Sequence, residues 1–130
     1  MVERIAYKGM MGDKVKALST EEFTKTIKSR VRRALKRNAL NYRMLNEKIE
    51  EYRKKGIDKP IKTHVREAVI VPQWIGLKFK LYSGKEFQEL AITPNMVGRR
   101  LGEFIYTTKR VQHSAPGIRA TRGSKFLSVK

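Results

Sequence analysis

The stretch IGLKFKLYSGKEFQELAI, residues 75–92, decides the fold. Ile75, Leu77, Phe79 and Leu81 alternate with Gly76, Lys78, Lys80 and Tyr82. A period of two puts the apolar set on one face of a strand and the lysines on the other. Ser83-Gly84-Lys85 then supplies a tight turn, because Gly84 can take a positive φ without a Cβ clash. Residues 86–92 form the return strand. A β-hairpin with one wet face and one dry face is the expected centre of the molecule.

Upstream of the hairpin, residues 68–71 are apolar and β-branched and read as a further strand, which Pro72 should end. Downstream, Thr93-Pro94 resembles an N-cap followed by proline at the first helical position. A short helix from there to about Arg100 should bury Met96, Val97 and Leu101. Trp74 is expected to pack rather than to present a ring to solvent.

The chain before about residue 62 has a different period. Ser19 and Glu22 have capping-box spacing, so a helix is expected from about Thr20. Phe23, Ile27, Val31 and Leu35 recur every four residues and form one apolar stripe. Around that stripe lie Lys25, Lys28, Arg30, Arg32, Arg33, Lys36 and Arg37. Asn38 and Asn41 are the candidate points of interruption. A second stripe follows in Tyr42, Leu45, Ile49 and Tyr52, stopped by Gly56 with Pro60 beyond it. The expectation is two helices, or one long helix with a bend.

The last stretch, residues 109–130, has no apolar period. It carries Lys109, Arg110, Arg119, Arg122, Lys125 and Lys130, and no acidic residue occurs after Glu103. Such a segment cannot offset its ordering entropy by burial, so it should order only on something anionic. The expected organisation is a single body, residues 1–108, mainly helical to 62 and sheet with a short helix over 63–108. A basic tail, 109–130, completes it. The fold class is α+β, with basic N-terminal helices packed on a small antiparallel sheet.

Charge sets the partner. Thirty Lys and Arg against 12 Asp and Glu leave +18 on 130 residues. A body so charged repels itself, and a polyanion is what normally offsets the excess. No apolar run approaches the roughly 20 residues of a spanning helix, so no membrane partner is expected. Residues 1–11 include Glu3, Arg4 and Lys8 and do not read as a secretory signal. The absence of cysteine excludes disulfides and thiolate metal sites and suits an intracellular protein.

Catalysis has little to stand on. His64 and His113 are the only candidate general bases, and neither lies in an HExxH or nucleophile-elbow pattern. His64, between Lys62 and Arg66, reads as a phosphate contact or a strand cap, and His113, in the basic tail, as a further contact to the polyanion. Glu47, Glu50 and Glu51 lie among Lys48, Lys54 and Lys55 and read as a solvated ion-pair face. No enzyme activity, metal or cofactor is expected.

The run SGKEFQELAITPNMVGRRLGEFIYT, residues 83–107, resembles the signature of the ribosomal small-subunit protein nineteen family. The elements that carry the likeness are Ser83-Gly84-Lys85, Met96-Val97-Gly98 and Leu101-Gly102-Glu103-Phe104. Lys62-Thr63-His64-Val65-Arg66 upstream is similar too. Pro116-Gly117-Ile118 and Ala120-Thr121 resemble the tail of the archaeal and eukaryotic branch. The resemblance implies a structural, rRNA-binding protein in the head of the small subunit, in the cytoplasm. It further implies a place beside ribosomal small-subunit protein thirteen, with a tail toward the decoding region and the tRNAs.

The candidate RNA contacts fall into four groups. Arg30, Arg32, Arg33, Lys36 and Arg37 lie on the basic helix, and Lys62, His64 and Arg66 precede the hairpin. Lys78, Lys80 and Lys85 are on the hairpin, where the lysine face reads either as merely solvated or as laid against phosphates. Arg99 and Arg100 lie between Gly98 and Gly102, where small residues would let backbone approach RNA. Lys109, Arg110, His113, Arg119, Arg122 and Lys125 belong to the tail. Lys and Arg without an aromatic ladder suit backbone binding, which positions without reading sequence. An architectural DNA-binding protein is the alternative, although no helix-turn-helix spacing accompanies the basic helix.

Overall fold

A computed structural model describes residues 7–37 and 40–111 of the chain. The hairpin stands where the alternation puts it, as β2 (Lys78–Tyr82) and β3 (Phe87–Ala91). Phe79 pairs with Leu90, Lys80 with Glu89 and Tyr82 with Phe87. Gly84 takes φ +104° in the turn. Ser83 closes the turn twice, its backbone N–H and its hydroxyl donating to the Glu86 carbonyl at 2.9 and 3.0 Å.

The α+β class is borne out, but the sheet is mixed rather than antiparallel throughout. A third strand, β1 (Ile61–Thr63), lies on the other side of β2 and pairs with it in parallel, Ile61 opposite Phe79. Residues 64–77 cross over between them. The strand expected at 75–77 is absent: a 3-10 turn, Pro72–Trp74, and Gly76 at φ +91° bend the chain there.

Residues 68–71 are buried as an apolar run should be, yet they are no strand of this sheet. They lie against 98–102 in a short ribbon instead. Ile70 N–H donates to the Arg99 carbonyl at 2.8 Å, and Gly98 N–H to that of Ile70 at 2.9 Å. The helix expected from Pro94 to Arg100 shrinks to one 3-10 turn, Pro94–Met96. Gly98 at φ +82° and the ribbon pairing of 98–102 both oppose its continuation. Val97 and Leu101 are buried as expected, whereas Met96 is half-buried.

The helical half has four helices among the described residues, not one or two. They are α1 (Gly12–Lys16), α2 (Thr20–Thr26), α3 (Ser29–Arg37) and α4 (Leu40–Lys54). The capping box starts α2 as its spacing demands, Glu22 N–H donating to Ser19 Oγ. Asn38 lies outside the described residues and Asn41 falls within α4, while an earlier break comes at Ile27. Ile27 is extended, φ −77° and ψ 157°, and separates α2 from α3 while its side chain stays buried. Thr24 and Thr26 favour that end, because their hydroxyls donate back to the Glu21 and Phe23 carbonyls. Arg32 then reaches back from α3. Its Nε donates to the Thr24 carbonyl at 2.7 Å, and its Nη2 to those of Lys25 and Ile27 at 3.0 and 3.1 Å.

One core joins the two halves. Leu45 and Ile49 on α4, Phe23 on α2, Ile70, Phe79, Leu81 and Leu101 all belong to it. Trp74 is its hinge, buried, with ring centroids 5.9 Å from Tyr42 on α4 and 5.5 Å from Phe79 on β2. Lys48 adds a polar tie, its Nζ donating to the Lys62 carbonyl of β1 at 2.9 Å.

Candidate nucleic-acid interface

Among the described residues, helices cover one face of the sheet and leave the other to solvent. On the covered side Ile61, Thr63, Phe79 and Leu81 are buried. The register puts Lys62 of β1, Lys78, Lys80 and Tyr82 of β2, and Phe87 and Glu89 of β3 on the opposite side. Lys62, Lys78 and Phe87 are exposed there, and Lys80 and Tyr82 partly so. Among the described residues Lys80 is the lysine of this face with a charge partner, its Nζ 2.8 Å from Glu89 Oε1. That hydrogen bond and the attraction of the ammonium hold the Glu89 carboxyl below its ordinary range.

Aromatic rings interrupt the lysines at one end of this face. His64, just past β1, lies with its ring centroid 4.7 Å from Tyr82 and 5.2 Å from Phe87. Tyr82 and Phe87 are themselves 5.2 Å apart. The Lys62 Nζ stands over the Phe87 ring, 5.6 Å from its centroid. His64 thus meets both rings at the edge of the lysine face. The individual residues were visible in the sequence, but the trio was not read from it. A signal was available for the Tyr82–Phe87 pair alone: Tyr82 shares the parity of Lys78 and Lys80, and Phe87 stands at the mirrored position across the turn.

The other expected contacts divide into exposed and engaged. Arg30, Arg33, Lys36 and Arg37 cover the outside of α3, and Lys85, Arg99, Lys109 and Arg110 are exposed as well. Arg32 and Arg66 are different. Arg32 is tied to the end of α2. Arg66 is half-buried, with Nη1 donating to the Tyr82 carbonyl at 2.9 Å and Nη2 to those of Gly102 and Ile105 at 2.9 and 2.5 Å. Both guanidinium groups hold the frame on which the exposed cations stand. Arg100 is half-exposed and lines, with Tyr42, His64 and Arg66, a cavity of about 300 Å³ beside the α3–α4 junction. His113, Arg119, Arg122 and Lys125, and most of the expected tail, lie outside the described residues.

Little of this charge is neutralised internally. Among the described residues two ion pairs form, Lys80–Glu89 and the exposed Lys55–Glu51. No group of three or more His, Asp or Glu among them could hold a metal ion. No described helix is long and apolar enough to cross a membrane.

The model of the family described as ribosomal protein S19 matches residues 32–113, which include most of α3, all of α4, the whole sheet and the 98–102 ribbon. The chain belongs to the ribosomal protein S19 family. Relatives extend the likeness to almost the full length. The small ribosomal subunit protein uS19 of Saccharolobus solfataricus is 48% identical over 126 residues, 95% of this chain and 90% of its own. That of Metallosphaera sedula is 40% identical over 98% of this chain and 93% of its own. The Thermoplasma volcanium protein of the same name is 39% identical over 98% and 82% respectively. As a ribosomal protein S19 family member, the chain has a structural role in the small ribosomal subunit and is not an enzyme.

Proposed function

We propose that this chain binds the small-subunit rRNA in the head of the cytoplasmic small subunit and holds it by phosphate contacts. The observation that carries the reading is the open sheet face and outer α3 surface, where Lys62, Lys78, Arg30, Arg33, Lys36 and Arg37 stand exposed on a chain with a formal charge of +18. Arg32 and Arg66 act in this reading as braces rather than contacts. Residues 1–108 are the binding body, and 109–130 are a basic arm directed toward the decoding region and the tRNAs. Ribosomal small-subunit protein thirteen is the neighbouring protein.

The test is the salt dependence of binding to small-subunit rRNA. Each phosphate neutralised should add about 0.7 to 0.9 to the slope of log affinity against log salt. Removing residues 109–130, with six basic residues, should flatten the slope by at most about 4 to 5. The truncated protein should still enter subunits, and those subunits should bind tRNA less well. A truncated protein that never enters subunits would make the arm an assembly anchor. A full chain whose affinity ignores salt would remove phosphate binding altogether.

A further inference from the structure

We infer that His64, Tyr82 and Phe87 form a stacking platform for one unpaired base of the small-subunit rRNA, with Lys62 taking that nucleotide's phosphate. The inference rests on the rRNA-binding reading and deepens it, because phosphate contacts alone give lysines no reason to be interrupted by rings. Three rings meet within 5.2 Å on the solvent side of the sheet, away from the core that contains Phe79 and Leu81. His64 and Phe87 are both exposed. The Tyr82 hydroxyl donates to the Gly84 carbonyl at 3.0 Å, which fixes its ring before any ligand arrives.

Hairpin stability explains part of the cluster. Tyr82 and Phe87 are directly opposite one another beside the turn, and such aromatic pairs stabilise a sheet. His64 is outside that pair. It lies beyond the end of β1, in no strand, and still turns its ring onto both others. What the three make together is a patch of π-surface bordered by the Lys62 ammonium. An unpaired base stacks on Phe, Tyr or His and carries its own phosphate within reach of such a cation. A duplex keeps its base faces inside the stack, so a helical segment would find no use for rings here.

The experiment uses the full chain and a transcript of the small-subunit rRNA, comparing wild type with His64→Leu, His64→Phe and Lys78→Ala. Leucine keeps apolar contact with Tyr82 and Phe87 but offers no π-face. Phenylalanine keeps both, and thermal unfolding verifies that each variant is folded. Stacking is worth about 1 to 3 kcal/mol per base, so His64→Leu should weaken binding about 5- to 150-fold. Its salt slope should stay at the wild-type value, and His64→Phe should retain wild-type affinity. Lys78→Ala should do the reverse and lower the slope by about 0.7 to 0.9. Chemical probing should find one unpaired base protected by wild type and exposed with His64→Leu.

Wild-type affinity in His64→Leu, with no base changing reactivity, would overturn the platform and leave phosphate binding standing. So would a His64→Leu protein that binds the transcript normally yet fails to join subunits carrying their other proteins, since the patch would then receive a protein. Absence of salt-dependent binding in wild type itself would remove the rRNA reading, a different result from either.

Discussion

A Cβ on Gly102 would lie 3.0 Å from the Cβ of Arg66 and 3.1 Å from its carbonyl oxygen. The same two residues are bonded, because Gly102 N–H donates to that carbonyl and the Arg66 guanidinium donates to the carbonyl of Gly102. The 98–102 ribbon thus closes on residue 66 with no room for a methyl group. Gly102→Ala should cost about 1 to 3 kcal/mol by overpacking. Arg66→Ala should cost about 2 to 3 kcal/mol, since three carbonyls lose a charged donor. Being in contact, the two should not add in the double variant. Denaturant unfolding measures all three. If Arg66→Ala kept full stability and lost rRNA affinity instead, Arg66 would be a contact and not a brace.

Arg32 and Arg33 are neighbours with opposite expected phenotypes. Arg32→Ala frees the carbonyls of Thr24, Lys25 and Ile27 and should destabilise the chain by about 1 to 2 kcal/mol. Arg33 is exposed on α3, so Arg33→Ala should leave the unfolding midpoint alone and lower the salt slope of rRNA binding by about 0.7 to 0.9. Matching effects of the two substitutions on both readouts would contradict this assignment.

Local rules were the legible part of the sequence. The capping box, the second stripe through Leu45 and Ile49, the hairpin and its glycine turn all depend on residues within a few positions of one another. The break at Ile27 was hidden because the four-residue stripe runs through it, and what holds the break, Arg32, looks like any surface cation. Residues 68–71 are buried on both faces, and burial alone does not say which partner supplies the hydrogen bonds. Parallel pairing of β1 left no mark either, since its period is the same in both directions. At the site, the lysine face followed from alternation. The role of Arg66 and the meeting of His64 with Phe87 depend on distant segments coming together, which no local pattern encodes.

Gly84 at φ +104° has open space where a Cβ would go, so substitutions there act through backbone strain alone. Gly84→Val should cost more than Gly84→Asn, because asparagine tolerates positive φ and a β-branched residue does not. The difference should be about 1 to 2 kcal/mol and should appear in both stability and rRNA binding. Equal midpoints for the two variants would mean that this turn does not constrain the hairpin.

Tyr42 sets an alkaline limit. Its burial against Trp74 raises the phenol pKa above the ordinary value of 10.0, with a partly opposing hydrogen bond from Asn46. The native state therefore holds this proton more tightly than the unfolded chain does. The resulting contribution is complete below about pH 10 and is lost as pH rises through the folded-state value. Tyr42→Phe should flatten the fall of stability above pH 10, measured by urea midpoints across that range. An unchanged fall would place the alkaline sensitivity elsewhere.

The parallel pairing of β1 with β2 also orders events in time. β2 and β3 are separated only by the turn, so the hairpin can zip from its own sequence, whereas Ile61 meets Phe79 only after residues 64–77 have found their path. On the ribosome, where synthesis proceeds from the N-terminus, α4 and β1 emerge before the strand that accepts them. In the folded chain the Lys48 tie joins α4 to β1. In refolding kinetics, substitutions in the turn should slow the forward rate, and substitutions at Ile61 should mainly hasten unfolding. The early-made half of the chain would then spend its first moments as basic helices awaiting a sheet.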